Sequence, residues 1–534
     1  MSSRKLGSRS VLRVLRDATR MLLAVGLVGI VLAGCSGGGG SGAGAPTGGT
    51  AGTGGTGSGA GGGAGAGGGG GGNGQGGGSG APSVGLRPVV YVADQDVYDR
   101  FELYMSSPTV PGASIKLNPP LPSGGNVDSF AVTPSGQSVV YVADQEVDNL
   151  YEVFIVHLAE PGTAIKLNAP LGADRDVQDF ALSPDGTKVV YRADHDTHDV
   201  WELYLVDVAS PGSAGKVNGA LVPGGWVRGG YLIDPTGTHV AYRADEDVKD
   251  VVELYLVDLG VPGVSYRANP PLVAGGNVYE QFKFTPDGAY VGYVADQEVD
   301  QKLELFAVHV ATPGTSSKLN GPMIADGDVC TFAFSPDSQH AAYCADQETD
   351  GVLELYAASL SAPGASTKLN PPLVPDGKVT HRYAFGADSS FVAYVALQDS
   401  AEHAELYRVD LASPGAATKL SDSLVPGGDV EHFAFSPDGA RVAYAANQDD
   451  PYVVEIYEVD LGSPGASVKV SGPMPDVGVY EFAYEDDTSI VYTATETGDT
   501  DELYRVDLSA PGVSTRLNGE LVDGGFVWAF AIVP

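Results

Sequence analysis

From residue 87 onward, short apolar stretches alternate with turns and recur at a regular spacing along the chain. A stretch containing Phe-Ala-x leads into Ser-Pro-Asp-Gly, and a second stretch ends in Tyr-x-Ala-Asp. An acidic segment then precedes a third stretch that opens with Glu-Leu-Tyr, and a Pro-Gly turn precedes a short fourth one that ends in Lys-Leu-Asn. Within the stretches apolar and polar positions alternate with period two, as at 442–446, which is typical of β-strands. Each repeat therefore predicts four short antiparallel strands.

The spacing of the repeat predicts the fold. The tyrosine that ends the second strand occurs nine times at steps of 48 to 51 residues: Tyr91, Tyr141, Tyr191, Tyr242, Tyr293, Tyr343, Tyr394, Tyr444 and Tyr492. The glutamate that opens the third strand also occurs nine times: Glu102, Glu152, Glu202, Glu253, Glu304, Glu354, Glu405, Glu455 and Glu502. A four-stranded unit repeated at this period predicts an all-β fold, a β-propeller in which each repeat is one blade.

The two ends of the repeat region predict that the ring is closed. The first unit begins at its second strand, 88–91, and has no Phe-Ala-x strand before it. The chain ends with a lone first strand at 526–533. Pairing this C-terminal strand into the first blade would hide two sheet edges, which favours closure. The count predicts nine blades, with eight as the alternative because units seven and nine have degenerate turns at 386–389 and 485–488.

The run from Ser-Pro-Asp-Gly through Tyr-x-Ala-Asp to Glu-Leu-Tyr resembles the repeat of TolB-type, WD40-like propellers. The resemblance covers residues 87–534. It implies the propeller fold, but it does not imply one function, since propellers of this type serve many roles.

The first 34 residues contain the parts of an export signal in the right order. Residues 1–20 carry six basic side chains against one acid, and an apolar run from Met21 to Leu32 follows. The run is too short for a permanent membrane span and ends in Leu-Ala-Gly-Cys at 32–35. This ending resembles the lipobox of bacterial lipoproteins, which implies cleavage of a signal peptide, 1–34, and lipidation of Cys35. An ordinary secretory signal with an unrelated cysteine is the alternative.

Residues 35–82 are almost entirely Gly, Ser, Ala and Thr. Without large apolar side chains they cannot form a core, so we expect a lipid-anchored flexible tether ahead of a propeller domain at 83–534. The resemblance to lipoproteins implies a place in the cell envelope, and Ser36 after the lipidated cysteine suggests the outer membrane. The lipid at the N-terminus is then the only expected contact with the membrane.

The formal net charge of −37 restricts the partners. Twenty-six of the 67 acidic residues lie in the nine loops that join the second and third strands, so the acidity is concentrated on one face of the predicted ring. Such a face repels nucleic acid and favours basic proteins or peptides. We expect a monomer that binds a basic protein or peptide.

Three of the acidic loops are candidate calcium sites. The segment from Asp346 to Glu354 reads D-x-E-x-D-G-x-x-E, and alternate carboxylates with a bend at the glycine can surround a hard cation. It resembles the hairpin-loop calcium sites of integrin α-subunit propellers. The candidate ligands are Asp144, Glu146, Asp148, Glu152, Asp296, Glu298, Asp300, Glu304, Asp346, Glu348, Asp350 and Glu354. The alternative is structural: the aspartates cap strand ends and the glutamates bond to neighbouring groups. Calcium is the one candidate cofactor.

The repeats contain only two cysteines, Cys330 and Cys344, on the first and second strands of unit six. The turn between these strands makes them near neighbours, so a disulfide is a candidate in an oxidising compartment. Two reduced core cysteines are the alternative.

No nucleophile elbow and no phosphate-binding glycine loop occurs in the repeats, which favours a protein without enzyme activity. We therefore expect a membrane-tethered, non-enzymatic binding scaffold of the cell envelope. The alternatives are a hydrolase or lyase with a site at the mouth of the propeller channel, and a structural envelope lipoprotein without a specific ligand. Acidic and histidine side chains in the channel would favour the enzyme; a channel filled by aromatic residues would favour the scaffold, the candidates being Phe130, Phe180, Phe332 and Phe433.

Overall fold

The computed structural model describes residues 87–534 apart from 108, 173, 475–476 and 496–499, and in these ranges the chain forms strands and turns only. The predicted signal peptide at 1–34, Cys35 and the tether at 35–82 lie outside the described residues. No helix that could span a membrane occurs in the described ranges.

Thirty-six strands form nine four-stranded antiparallel sheets, each of them one blade of a ring. Blades are numbered one to nine in the order of their second strands along the chain. In that order the first strands are β36 (Val527–Ile532), β4 (Val127–Val132), β8 (Val177–Leu182), β12 (Leu232–Ile233), β16 (Val278–Phe284), β20 (Val329–Phe334), β24 (Lys378–Phe385), β28 (Val430–Phe435) and β32 (Val479–Asp486). The second strands are β1 (Val89–Ala93), β5 (Ser138–Ala143), β9 (Lys188–Ala193), β13 (His239–Ala244), β17 (Tyr290–Ala295), β21 (His340–Ala345), β25 (Phe391–Leu397), β29 (Arg441–Ala446) and β33 (Ser489–Ala494).

The third strands all open with the repeat glutamate, as the sequence predicts: β2 (Glu102–Ser106), β6 (Glu152–His157), β10 (Glu202–Asp207), β14 (Glu253–Asp258), β18 (Glu304–His309), β22 (Glu354–Ser359), β26 (Glu405–Asp410), β30 (Glu455–Asp460) and β34 (Glu502–Asp507). The fourth strands are short: β3 (Ser114–Lys116), β7 (Ala164–Lys166), β11 (Gly215–Lys216), β15 (Ser265–Arg267), β19 (Ser316–Lys318), β23 (Ser366–Lys368), β27 (Ala417–Lys419), β31 (Val468–Lys469) and β35 (Ser514–Arg516).

The Ser-Pro-Asp-Gly turns join the first two strands of a blade. In the third blade the amide of Gly186 donates to the carbonyl of Ser183 at 2.8 Å, and Gly186 has a φ of 70°, a conformation that glycine adopts without strain. Asp185 accepts a hydrogen bond from the Ser183 hydroxyl at 2.5 Å and from the amide of Thr187 at 3.0 Å. The aspartate and glycine of the motif therefore act as the turn chemistry predicts.

The first strands are the innermost ones, since they contact one another from blade to blade, as β20 does with β24 and β36 with β4. The hydrophobic core lies between neighbouring blades. One cluster joins Val90 and Leu103 of blade one to Tyr141 and Phe154 of blade two, and equivalent clusters follow around the ring. Each blade therefore buries both of its faces against its two neighbours, which is the driving force for a closed array.

The ring closes as predicted. Strand β36 pairs antiparallel with β1, with Tyr91 opposite Phe530, and completes the first blade. A cluster that contains Tyr91, Val491 and Leu503 joins the first blade to the ninth. Nine blades are confirmed, and the alternative of eight is wrong. The ninth turn closes without proline because Asp486 accepts a hydrogen bond from the amide of Thr488 at 2.7 Å.

Candidate functional site

The acidic loops tie the second strand of a blade to the start of its innermost strand. In blade six, Asp346 accepts hydrogen bonds from the amides of Asp328 at 2.6 Å and Gly351 at 3.0 Å. Six blades repeat this arrangement through an aspartate at the same place: Asp94, Asp144, Asp194, Asp245, Asp296 and Asp346. These aspartates cap the loops of six blades, and they hold the start of the innermost strand of those blades at the acidic face of the ring.

The glutamate of every third strand pairs with the basic residue of the adjacent fourth strand. In blade six, Lys368 lies 2.7 Å from Glu348 and 3.0 Å from Glu354. The pair recurs in all nine blades: Glu102–Lys116, Glu152–Lys166, Glu202–Lys216, Glu253–Arg267, Glu304–Lys318, Glu354–Lys368, Glu405–Lys419, Glu455–Lys469 and Glu502–Arg516. Each blade therefore pairs its repeat glutamate with one basic side chain, which in most blades also contacts a carboxylate of the acidic loop.

These contacts bear on the calcium hypothesis. In the three candidate loops both glutamates bind a lysine ammonium, namely Lys166, Lys318 or Lys368. The first aspartate of each loop already accepts two backbone amides. A calcium ion would have to displace the lysine from both glutamates. The structural alternative accounts for every one of these contacts, and calcium binding stays a prediction.

The mouth of the channel on the acidic face carries polar side chains. Because the innermost strands are paired on one side and packed against neighbouring blades, their exposed residues reach solvent through the central channel. Exposed residues on these strands include Asp128, Glu280, Lys283, His381 and Glu431.

The phenylalanines considered for the channel lie elsewhere. They pack into the clusters between blades, where each lies opposite the repeat tyrosine of the second strand: Phe130, Phe180, Phe332 and Phe433. Acidic and histidine side chains therefore lie in the channel, the arrangement that favours the enzyme alternative over the scaffold.

A cysteine, a second cysteine and a histidine meet at this mouth. Cys330 follows the first residue of β20, Cys344 lies on the adjacent β21, and His381 comes from β24 of the next blade. Their sulfur and nitrogen atoms lie within 4.8 Å of one another. Cys330 is half-buried and Cys344 is fully buried, so Cys330 is the thiol that the channel reaches.

The electrostatics of this cluster favour a thiolate. The Cys344 side chain and the His381 imidazole beside it lower the pKa of Cys330 below the usual value of a cysteine. Hydrogen bonding to Cys330 raises the pKa of His381, and the neighbouring Cys330 sulfur together with burial raises that of Cys344. A pair with these shifts is a thiolate next to an imidazolium, the state that makes a cysteine nucleophilic near neutral pH.

The predicted disulfide is not formed in this structure, where both thiols are free. A bulge after Val329 shifts the register, so that Thr331 rather than Cys330 lies opposite Cys344. The Cys330 thiol donates to the carbonyl oxygen of Cys344 at 3.0 Å. The two sulfurs are near enough for oxidation to join them after a small movement, and the disulfide stays a prediction.

The mouth also carries arginines that the sequence interpretation did not single out. Arg192 and Arg243 replace the valine, alanine or threonine that six other blades have between the repeat tyrosine and alanine. Arg192 pairs with Asp179 at 2.6 Å and lies 5.5 Å from the ring centre of Trp201. The third exception at this position is Cys344. Blades that depart from Tyr-Val-Ala-Asp at this position were therefore the signal in the sequence that could have identified the residues of the channel mouth.

Lys283 is another exception to the repeat. It stands where the innermost strands of the other blades have a small or apolar residue: Ala131, Ala181, Leu232, Ala333, Ala384, Ala434, Ala483 and Ala531. Although Lys283 reaches solvent in the channel, the surrounding protein atoms desolvate its ammonium and lower its pKa, and the ammonium lies 6.0 Å from the ring centre of Phe332. One arc of the ring, from blade four to blade seven, therefore holds Arg243, Lys283, Cys330 and His381.

Comparison with known proteins identifies the fold only. No protein-family model and no curated protein matches the chain. The crystal structure of Porphyromonas gingivalis dipeptidyl peptidase 4 matches with a TM-score of 0.51 and 13% identity, over 72% of this chain and 59% of that chain. A eukaryotic initiation factor matches with a TM-score of 0.50 and 14% identity, over 83% of this chain and 98% of that one. An oligogalacturonate lyase in complex with manganese reaches a TM-score of 0.38 at 14% identity, over 70% and 96% of the two chains.

The prediction that this chain is not an enzyme is contradicted by these comparisons, because a peptidase contains the same type of ring. The chain spans 59% of that peptidase, and at 13% identity the likeness gives the fold and no activity. The prediction failed for a physical reason. A propeller brings side chains from several blades to one channel, so reactive groups can meet without any local motif in the sequence.

Proposed function

We propose that the channel mouth is the catalytic site of a hydrolase in which Cys330 is the nucleophile and His381 transfers the proton. The observation that carries the proposal is the meeting of these two side chains from neighbouring blades within 4.8 Å, with Cys344 beside them. The lowered pKa of Cys330 supplies a thiolate at neutral pH.

The proposed reaction is acyl transfer. The Cys330 thiolate attacks the acyl carbon of an ester or amide, and a thioester forms as the bond to the leaving group breaks. The His381 imidazolium protonates the leaving group and becomes neutral. Water then attacks the thioester while His381 takes up its proton, and the carboxylic acid departs from the regenerated thiolate.

The buried partner Cys344 has a positioning role in this scheme. Its carbonyl oxygen accepts the hydrogen bond of Cys330 only while Cys330 is a thiol. Ionisation of Cys330 removes that bond, and the Cys344 thiol and the His381 imidazolium are then the groups that stabilise the thiolate.

Alkylation and acylation of the full-length chain test the proposal. We expect iodoacetamide to alkylate Cys330 with a midpoint at least one pH unit below that of an ordinary cysteine, which is about 8.5, and p-nitrophenyl acetate to leave an acetyl group on Cys330 in mass spectra. His381→Ala should raise the alkylation midpoint by more than one pH unit and slow acetylation. Cys344→Ala removes the side chain that lowers the pKa of Cys330, so it should also raise the midpoint, yet it should still acquire the acetyl group, whereas Cys330→Ala should not.

An alkylation midpoint above pH 8 in the native chain, or acetylation that survives Cys330→Ala, would overturn the proposal. Circular dichroism spectra of each variant would establish that the ring is intact before reactivity is compared.

The cellular location of this enzyme is part of the proposal. The N-terminal pattern and the Leu-Ala-Gly-Cys ending support an exported lipoprotein of the cell envelope that is anchored through Cys35, with residues 35–82 as a tether. The repeats support membership of the TolB type. Labelling with a fatty acid in a bacterial host tests the anchor: Cys35→Ser should lose the label, and retention of the label would exclude it.

A basic protein or peptide is the proposed substrate class. Apart from the glutamates bound to lysine, the acidic face has exposed carboxylates such as Asp99, Asp148 and Asp350 around the channel mouth. These groups attract cationic molecules and repel nucleic acid.

A further inference from the structure

We propose that Arg228 and Arg243 form a binding site for a carboxylate group of the ligand, at the channel mouth in blade four. The two arginines are neighbours, since the amide of Arg228 donates to the carbonyl oxygen of Arg243 at 2.8 Å. The site deepens the function proposed above by naming the chemistry of its ligand, and it does not depend on the reactivity of Cys330.

Arg243 is a buried cation with weak partners. Its residue surface is 8% exposed, and its Nε is buried without a hydrogen-bond partner in the described part of the chain. Nη1 donates to the carbonyl oxygen of Val278 at 3.3 Å, and Nη2 lies 3.8 Å from Glu280, whose side chain is 77% exposed. Burial lowers the pKa of Arg243, and the neighbouring Arg228 charge lowers it further, while the charge of Glu280 raises it.

Arg228 is less buried than Arg243, with 22% of its side chain exposed. Its Nε is also buried without a partner among the described residues, and its guanidinium stacks 3.7 Å from the ring centre of Trp226. The nearest carboxylate, Asp245, is 3.7 Å away and already accepts hydrogen bonds from the amides of Trp226 and Asp250. Two neighbouring guanidinium groups with open donors are unfavourable unless an anion joins them.

There is room for such an anion. A cavity of about 370 Å³ is lined by Arg243, Val252, Asn277 and the segment 278–281, so Arg243 is the arginine that faces it, and Arg228 is not one of its lining residues. The planar guanidinium fork matches a carboxylate bidentately, and the open cavity allows a larger molecule to carry that carboxylate. The acidic rim and the net charge of −37 oppose polyanions, so we assign a single carboxylate, such as the C-terminus of a peptide.

Calorimetric titration of the full-length chain with N-acetyl-alanyl-alanine and with its C-terminal amide tests the site. We expect the free acid to bind at least tenfold more tightly than the amide. Arg243→Gln and Arg228→Gln should each reduce that preference at least fivefold, and Arg408→Gln, in an exposed pair with Asp410 on an outer strand, should leave it unchanged. Succinate as a third probe distinguishes a small-acid site from a peptide site.

Equal affinity for acid and amide, or no binding of any of the three probes at millimolar concentration, would overturn the carboxylate site. The comparison of the free acid with the amide uses the native chain. It therefore tests the carboxylate site even if an arginine variant fails to fold. Binding of the acid without acetylation of Cys330 would reject the proposed hydrolase and leave the carboxylate site standing.

Discussion

Glu304 and Lys318 lie on adjacent strands with their charged atoms 3.1 Å apart, and the carboxylate side is almost fully buried while the lysine keeps a third of its side chain exposed. The same relationship recurs in every blade. Each short fourth strand is thus held to its blade by a charge pair as well as by its few backbone hydrogen bonds.

Removing the lysine alone should lower the free energy of unfolding more than removing the lysine and the glutamate charge together. Lys318→Met leaves Glu304 buried without its cation, and we expect a loss of about 1–3 kcal/mol in the free energy of unfolding. The double variant Lys318→Met with Glu304→Gln should recover part of that loss. Urea unfolding monitored by circular dichroism measures the difference, with the exposed Lys249→Met as control. Equal effects of Lys318→Met and Lys249→Met would contradict the role of the pair.

The lysine should compete with calcium. Lys368 bridges Glu348 and Glu354 in the candidate loop that carries the glycine. We expect Lys368→Met to bind calcium more tightly than the native chain, because two carboxylates lose their ammonium. Calorimetric titration of the calcium-free proteins compares them. If neither protein releases heat at millimolar calcium, the loop is structural only.

A substitution in the core between blades one and nine, where the ring closes, should lower the free energy of unfolding as much as one in any other part of the core. Phe530 is 6% exposed and belongs to the cluster that joins blades one and nine. We expect Phe530→Ala to destabilise the ring by about 3–5 kcal/mol. Val513→Ala, at a site that is 67% exposed, should stay within about 0.5 kcal/mol. Thermal unfolding followed by circular dichroism tests this, and an unchanged melting temperature for Phe530→Ala would show that the seam does not hold the ring.

His432 should make the protein less stable in mild acid. Burial, helped by the Arg382 charge, lowers its pKa to about 4, whereas an unfolded histidine titrates near 6.5. Between these two pH values the histidine is protonated in the unfolded chain and neutral in the folded chain. The free energy of unfolding therefore falls as the pH falls from about 6.5 to about 4. At pH 5 the loss from this residue is about 2 kcal/mol.

His432→Phe tests this dependence because it keeps the stacking on Phe482, 4.9 Å away between ring centres, and removes the titrating group. Its unfolding free energy should change less between pH 7 and pH 5 than that of the native chain. His157→Asn, at an exposed site, should show the native dependence. An identical change in His432→Phe and the native chain would assign the acid sensitivity to other groups.

Much of the fold followed from local patterns in the sequence. The recurrence of Tyr91 and its eight equivalents predicted nine blades, and the unmatched strand at 526–533 predicted the seam with β1. Strand periodicity and turn chemistry act over a few residues, so the printed chain shows them directly.

The site could not be predicted in the same way. Cys330 was interpreted as a partner of Cys344, whereas the structure adds His381 from the next blade. The acidic loops were interpreted as capping groups or calcium ligands, whereas the structure also pairs each repeat glutamate with the lysine or arginine fourteen positions later, as Glu354 with Lys368. The pairing of glutamate with a basic residue could have been read from the fixed spacing in the sequence. The contact between Cys330 and His381 depends on how two blades pack against each other.

The sequence by itself determined the four-stranded repeat, the count of nine and the closure of the ring, because these depend on short-range periodicity and on matching ends. The tertiary structure decided which side chains share the channel mouth. Arg228, Arg243, Cys330 and His381 occupy blades four, six and seven, and only the radial packing of blades around one axis brings residues so far apart in sequence to the same opening.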